Sequence, residues 1–295
     1  MNTRRRPRAG FTVVELLVTI SVVGALVALV TPAVQNSRSR MRDAEFKNHL
    51  HQVGIALQNH EDARGVFPTT HSYQHRLASF LENRHDVWIC PADSRAGYAI
   101  DDDYSYLLND GTRFRFYHRN GFAVQPIEDI GANGHRDARA KDITDGLSNT
   151  AAMSERLLVS GYNEASSEEE LRADPIRFLW YVASRQPDEA SLANECESFR
   201  LTPYPLTYKT SGTFAGMGYD HILPPNRIGC QNTPPLPMNA VGDHVSSLVT
   251  TTSQHGGYVN VLLCDGSVRP VADQVDRKAW QALGTRNGNE TISLE

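Results

Sequence analysis

The stretch from Phe11 to Val34, FTVVELLVTISVVGALVALVTPAV, constrains this chain more than any other part of it. As a helix it is about 36 Å long at ~1.5 Å per residue, enough to cross a ~30 Å hydrocarbon core. Arg4, Arg5, Arg6 and Arg8 stand just before it. Positive charge at that end holds the N-terminus in the cytoplasm and sends everything after Val34 outward. A conventional secretory signal places its apolar stretch before a small-residue cleavage site and loses that stretch on cleavage. Here Gly10 precedes the apolar run, so a cut between Gly10 and Phe11 removes only the basic decapeptide and keeps the helix.

Glu15 is the one charged side chain between Phe11 and Val34. An ionised carboxylate costs about 2.5–3.5 kcal/mol near the bilayer centre and less towards the interface. Cleavage before Phe11 creates a free amine, and that amine in a neighbouring subunit would turn Glu15 into an assembly signal. The other reading is a glutamate that snorkels to the headgroups. Pro32 removes one backbone bond of the helix and predicts a bend.

The order of an arginine-rich leader, Gly10, Phe11 and then T-V-V-E-L-L closely resembles the prepilin signal of type IV pilins and type II secretion pseudopilins. The resemblance implies that a prepilin peptidase cuts after Gly10 and methylates Phe11, and that Glu15 serves assembly with other pilin-like subunits through the N-terminal helix.

Beyond the membrane the helical pattern continues to about Arg64, with Phe46, Leu50, Val53 and Leu57 forming an apolar stripe that should pack on a globular domain. His49, His51 and His60 are expected to be solvated. Gly65 and Pro68 end the helix. From there short alternating segments broken by Gly, Pro, Asn and Asp predict an antiparallel β-rich domain. The expected class is α+β and pilin-like: residues 1–10 leader, 11–34 transmembrane helix, 35–64 its extramembrane continuation, 65–295 a globular domain with long loops. Two hairpins are predicted, Tyr104–Leu108 with Thr112–Tyr117 around Asn109-Asp110-Gly111, and Tyr258–Cys264 with Ser267–Val271 around Asp265-Gly266. Residues 163–175 are acidic and read as a loop or short surface helix. Prolines around Pro203-Pro205, Pro224-Pro225 and Pro234-Pro237 predict a long excursion without central strands. Asp273 is the expected cap of a last helix through Leu283.

Residues 65–295 carry 20 basic against 29 acidic side chains, a body that repels nucleic acid and anionic headgroups alike. Cys90, Cys196, Cys230 and Cys264 have no zinc-finger spacing. Cys196 and Cys230 bracket the proline-rich excursion and are the expected disulfide; Cys90 and Cys264 stay open between pairing and burial.

No P-loop, G-x-S-x-G, H-E-x-x-H or G-x-G-x-x-G is present, so no enzyme activity is expected. The segment from His255-Gly256-Gly257 to Asp265-Gly266 reads H-x(9)-D-G. It resembles the C-terminal motif of a bacterial family that carries prepilin-type leaders, domain of unknown function fifteen fifty-nine. Cys90-Pro91-Ala92-Asp93, the run from Ile143 to Thr150 leading to Glu155, and Pro224-Pro225-Asn226 before Cys230 agree with that family. A strand at ~3.3 Å per residue holds His255 and Asp265 roughly 30 Å apart, so both are read as structural, with Asp265-Gly266 forming a turn. Related pseudopilins often carry a calcium loop; here Asp142, Asp145 and Asn149 are the candidate ligands, weighed against an ordinary Asx-turn. No other cofactor is expected. The reading that follows is an inner-membrane, single-pass structural subunit of an envelope filament. Its partners are the prepilin peptidase and other pilin-like subunits, and its C-terminal domain is extracytoplasmic. The alternative is a membrane-tethered ligand- or substrate-binding module.

Overall fold

A computed structural model describes residues 12–69, 73–99, 103–113, 120–123, 137–159, 167–182, 185–198, 201–206, 218–232 and 247–290. Helix α1, Val13–Arg64, runs through Pro32 without a break. Its first part is apolar and exposed, with an 18-residue window of mean hydropathy 2.6 that buries nothing. The chain divides into two units at Ala44 and Glu45, so the last twenty residues of α1 belong to the globular unit. There Phe46, Leu50 and Val53 are wholly buried and Leu57 almost so, as their spacing on one helical face requires. Gly65, at φ +70°, follows the last turn, a backbone state that glycine adopts without steric cost.

Among the described residues the globular unit holds two sheets. In chain order the strands are β1 Tyr106–Gly111, β2 Ala151–Glu155, β3 Leu179–Val182, β4 Leu201–Leu206, β5 Tyr219–Asp220, β6 Gly229–Gln231, β7 Ser247–Leu248, β8 Tyr258–Leu263 and β9 Val268–Ala272. The first sheet has the order β5-β1-β2-β8-β9 and the second β4-β3-β6-β7. Both are mixed where the sequence predicts antiparallel pairing throughout: β1 runs parallel to β5 and β3 parallel to β6. Short helices are α2 Tyr73–Ala78, α3 Glu168–Ala173, α4 Glu189–Glu197 and α5 Arg277–Gly284.

The first sheet is covered on both faces along β1, β2 and β8, while much of the edge strand β9 is exposed. Along β8, Leu262 joins the cluster containing Phe46, Leu50, Val53 and Leu57, while Val261 and Leu263 join Trp280 and Leu283 of α5. Gly54 permits the close approach: a Cβ there would lie 2.8 Å from Leu262 Cδ1 and 3.0 Å from Gly266 Cα. The side-chain amide of Gln58 donates to the Cys264 carbonyl, and His51 Nδ1 lies 3.1 Å from the Gly266 carbonyl. A third cluster holds β3, β6 and α4 together with the Cys196–Cys230 disulfide, whose Cα atoms are 5.8 Å apart.

Several expectations are corrected. Asn109-Asp110-Gly111 is the end of β1, not a hairpin turn, and residues 114–117 of the expected partner strand lie outside the described residues. The polar pair is satisfied within the fold. Asn109 Nδ2 donates to the Ala151 and Gly284 carbonyls, and Asp110 accepts from Gly218 N. Pro203 and Pro205 lie in β4, an edge strand, where a missing N–H can face away from the ladder; residues 233–246 lie outside the described residues. The last helix begins at Arg277, so its cap is Asp276, which accepts from Lys278 N and Ala279 N, while Asp273 lies before it and accepts from Asn226 Nδ2 at 2.6 Å. His49 and His60 are buried, not solvated; His60 Nδ1 bonds the Val66 carbonyl at 2.8 Å, and burial is the main cause of its lowered pKa. The acidic segment does form α3, with Ser167 and Glu170 as a capping box; residues 163–166 lie outside the described part.

Candidate functional site

Two places carry chemistry. The first is the start of α1. Gly10 and Phe11 lie outside the described residues, but Glu15 does not. Its Oε2 accepts from Thr12 N at 2.9 Å and Thr12 Oγ1 at 2.8 Å, while Glu15 N donates to Thr12 Oγ1 at 3.2 Å. This is a reciprocal capping box, which satisfies donors that the first helical turn leaves open. The tetrapeptide T-V-V-E carries that signature, and reading Glu15 only as a charge in an apolar run passes over it.

The second is a buried polar cluster in the globular unit. His255, in the loop before β8, is clamped between rings: Tyr258 stacks on it at 5.5 Å and Phe46 of α1 lies tilted at 5.1 Å. Its Nε2 is 3.0 Å from Glu155 Oε2 and 4.0 Å from Cys90 Sγ. The His255 and Glu155 side chains are 3% and 2% exposed, so the contact is shielded from water. Glu155 ends β2 directly opposite Tyr106 of β1, and its Oε1 accepts from Asn260 N of β8 at 2.6 Å. Cys90 is held by its own N–H, which donates to Ser105 Oγ at 2.9 Å. Burial first, then the Glu155 and Asp93 carboxylates, push the Cys90 thiol well above its ordinary value.

An ion pair adjoins this cluster. Asp93, whose N–H closes a turn by donating to the Cys90 carbonyl at 3.1 Å, meets Arg177 Nη1 through both oxygens at 2.8 and 3.0 Å, both side chains being fully buried. Arg177 also donates to the Leu158 carbonyl and to Asp174, and Asp93 Oδ2 accepts from Leu158 N.

The two ends of the H-x(9)-D-G segment therefore do separate jobs. His255 belongs to the polar cluster, while Asp265 Oδ1 accepts from Ser267 N and Oγ in the β8–β9 turn, with Gly266 at φ +85°. Of the proposed calcium ligands, Asp142 accepts from Arg139 N, Asp145 accepts from Gly288 N and Asn289 N, and Asn149 Nδ2 donates to the Asp145 carbonyl. Asp142 and Asp145 anchor loops through carboxylate oxygens that a cation would contest, whereas Asn149 does so through its amide N–H.

A family model described as protein of unknown function (DUF1559) matches residues 70–278. The chain belongs to the DUF1559 family. The prokaryotic N-terminal methylation motif matches residues 5–31, which include Gly10, Phe11 and Glu15. No curated protein and no solved structure matches the chain. Within the DUF1559 match, Cys90, Asp93, Glu155 and His255 come from three segments far apart in sequence and meet in one place. Sequence reading finds each segment and misses their convergence, because nothing local connects residue 90 to residue 255.

Proposed function

We propose that this protein is a pilin-like subunit of an envelope filament, of the type II secretion pseudopilus or type IV pilus kind, trimmed between Gly10 and Phe11 by prepilin peptidase. The observation that carries this reading is the methylation motif over residues 5–31, placed on a helix whose apolar part is exposed. That exposed surface suits lipid before assembly and neighbouring helices after it. The arginine-rich leader favours a cytoplasmic N-terminus and an extracytoplasmic globular domain. Its role is structural. The buried polar cluster favours, as a second reading, a membrane-tethered binding module.

Mass spectrometry of the membrane-bound protein tests the processing: the mature chain is expected to begin at N-methylated Phe11, and an intact Met1 would refute it. Glu15 tests assembly. Glu15→Gln keeps a capping-box acceptor but no charge, whereas Glu15→Ala removes both. If the carboxylate pairs with a neighbour's amine, both variants insert normally and neither forms filaments on cross-linking or electron microscopy. Filaments from Glu15→Gln cells would reduce the residue to a cap.

A further inference from the structure

We propose that Cys90, Glu155 and His255 bind one divalent transition cation of borderline softness, Zn²⁺ above all, with the Tyr106 hydroxyl holding the exogenous ligand that completes its coordination. The three ligand atoms lie within 4.8 Å of one another, with Cys90 and Glu155 buried and His255 partly so. A tetrahedral zinc with bonds of about 2.0–2.3 Å places its donors roughly 3.3–3.8 Å apart. The two separations from His255 Nε2, 3.0 Å and 4.0 Å, lie within a few tenths of an ångström of that range, and closing of the Cys90–Glu155 separation, at most 4.8 Å, would complete it. A thiol, an imidazole and a carboxylate together suit zinc and its neighbours rather than calcium or magnesium, which take oxygen alone.

The arrangement differs from a nucleophilic relay. In a relay the acid binds one ring nitrogen and the nucleophile the other. Here Glu155 and Cys90 both approach Nε2, so no chain runs from the acid through the two ring nitrogens to the thiol. Tyr106 is the independent sign of a missing ligand. It stands opposite Glu155 across the β1–β2 ladder, is wholly buried, and its hydroxyl has no hydrogen-bond partner among the described residues. Burial first, and then the neighbouring Cys90 and Glu155, push its hydroxyl well above the usual tyrosine value. A buried hydroxyl without a partner is destabilising, and a metal-bound water or hydroxide would accept its hydrogen bond. The outer contacts that orient ligands are in place as well: Asn260 N holds the second oxygen of Glu155, and the rings of Phe46 and Tyr258 fix the imidazole plane.

The test uses the untagged full-length chain in detergent, stripped with a chelator and titrated with Co²⁺. One equivalent is expected, with a thiolate-to-metal charge-transfer band and the visible bands of a four-coordinate site, all displaced by equimolar Zn²⁺. Cys90→Ser is expected to abolish the charge-transfer band, Glu155→Gln and His255→Gln to weaken Co²⁺ binding at least tenfold, and Cys264→Ser to leave the titration unchanged. Tyr106→Phe, which removes a single oxygen, is expected to keep the stoichiometry and the charge-transfer band while altering the visible bands and lowering affinity severalfold. A folded wild-type chain without a charge-transfer band overturns the proposal whether or not the variants fold. So does a band that survives Cys90→Ser, and an unchanged Tyr106→Phe titration overturns the role given to the hydroxyl.

Discussion

At the scale of single residues the globular unit depends on buried charges and imidazoles that are matched to one state. Arg177 and Asp93 are both sealed from water, so removing either partner strands the other. Asp93→Ala is expected to destabilise the protein by about 3–5 kcal/mol, read as a lower urea midpoint. Replacing both residues by apolar ones of similar volume should cost much less, and a double-variant comparison checks it. His221 makes a pH prediction. Its Nδ1 donates to the Trp280 carbonyl at 2.7 Å, which leaves Nε2 to accept from the Tyr219 hydroxyl at 3.0 Å. Burial holds its pKa down to about 3, against an ordinary value of ~6.5. The unfolded chain takes up a proton below about pH 6.5 and the folded chain refuses it until near 3. Its contribution is therefore undiminished above pH ~6.5 and erodes as the pH falls towards 3, by roughly 4–5 kcal/mol in all. His221→Asn keeps a donor towards Trp280 but cannot titrate. Urea midpoints followed from about pH 7 to about pH 4 should fall less steeply in that variant than in the parent, even if its stability at neutral pH is lower.

At the scale of elements, α1 packs closely on the β8–β9 hairpin. Gly54 has no room for a side chain against Leu262 and Gly266. Gly54→Val should lose at least about 1–3 kcal/mol through overpacking, and thermal melting of the variant would measure it. The disulfide acts differently, by restricting the unfolded chain: Cys196 and Cys230 are 34 residues apart, and a loop of that size contributes about 3–4 kcal/mol in the chain-entropy model. Cys196→Ser should lower the denaturation midpoint accordingly. Elements made by near neighbours are the ones that sequence reveals. The α1 stripe at Phe46, Leu50, Val53 and Leu57 is a helical period, and Asp265-Gly266 between two alternating runs is a hairpin signal; both are found where they are expected. Asn109-Asp110-Gly111 carries the same kind of signal and yields a strand end, because its polar groups are satisfied by Ala151, Gly284 and Gly218, residues that no local pattern indicates. The cluster of Cys90, Glu155 and His255 was illegible for the same reason. Its three members were visible as separate patches, and their meeting depends on how β1, β2 and β8 lie side by side.

At the scale of the whole molecule, the globular unit begins inside a helix and not after it. A fragment starting at Glu45 keeps the four stripe residues of α1 and is expected to fold as a soluble domain, shown by a cooperative melt and a monomeric elution profile. A fragment starting at Gly65 lacks four side chains each worth about 1.5–3 kcal/mol of burial, and is expected to aggregate or remain unfolded. The same core gives a meaning to the number in H-x(9)-D-G. Strand β8 has Leu262 facing one apolar cluster and Val261 and Leu263 facing another, with His255 committed to Glu155 before it and Gly266 against Gly54 after it. The interval is thus a parity as well as a length. One residue inserted between Tyr258 and Leu263 exchanges odd positions for even, and sends each side chain beyond the insertion to the opposite face. Two inserted residues restore the faces but displace the turn from Gly54, so this segment tolerates neither change.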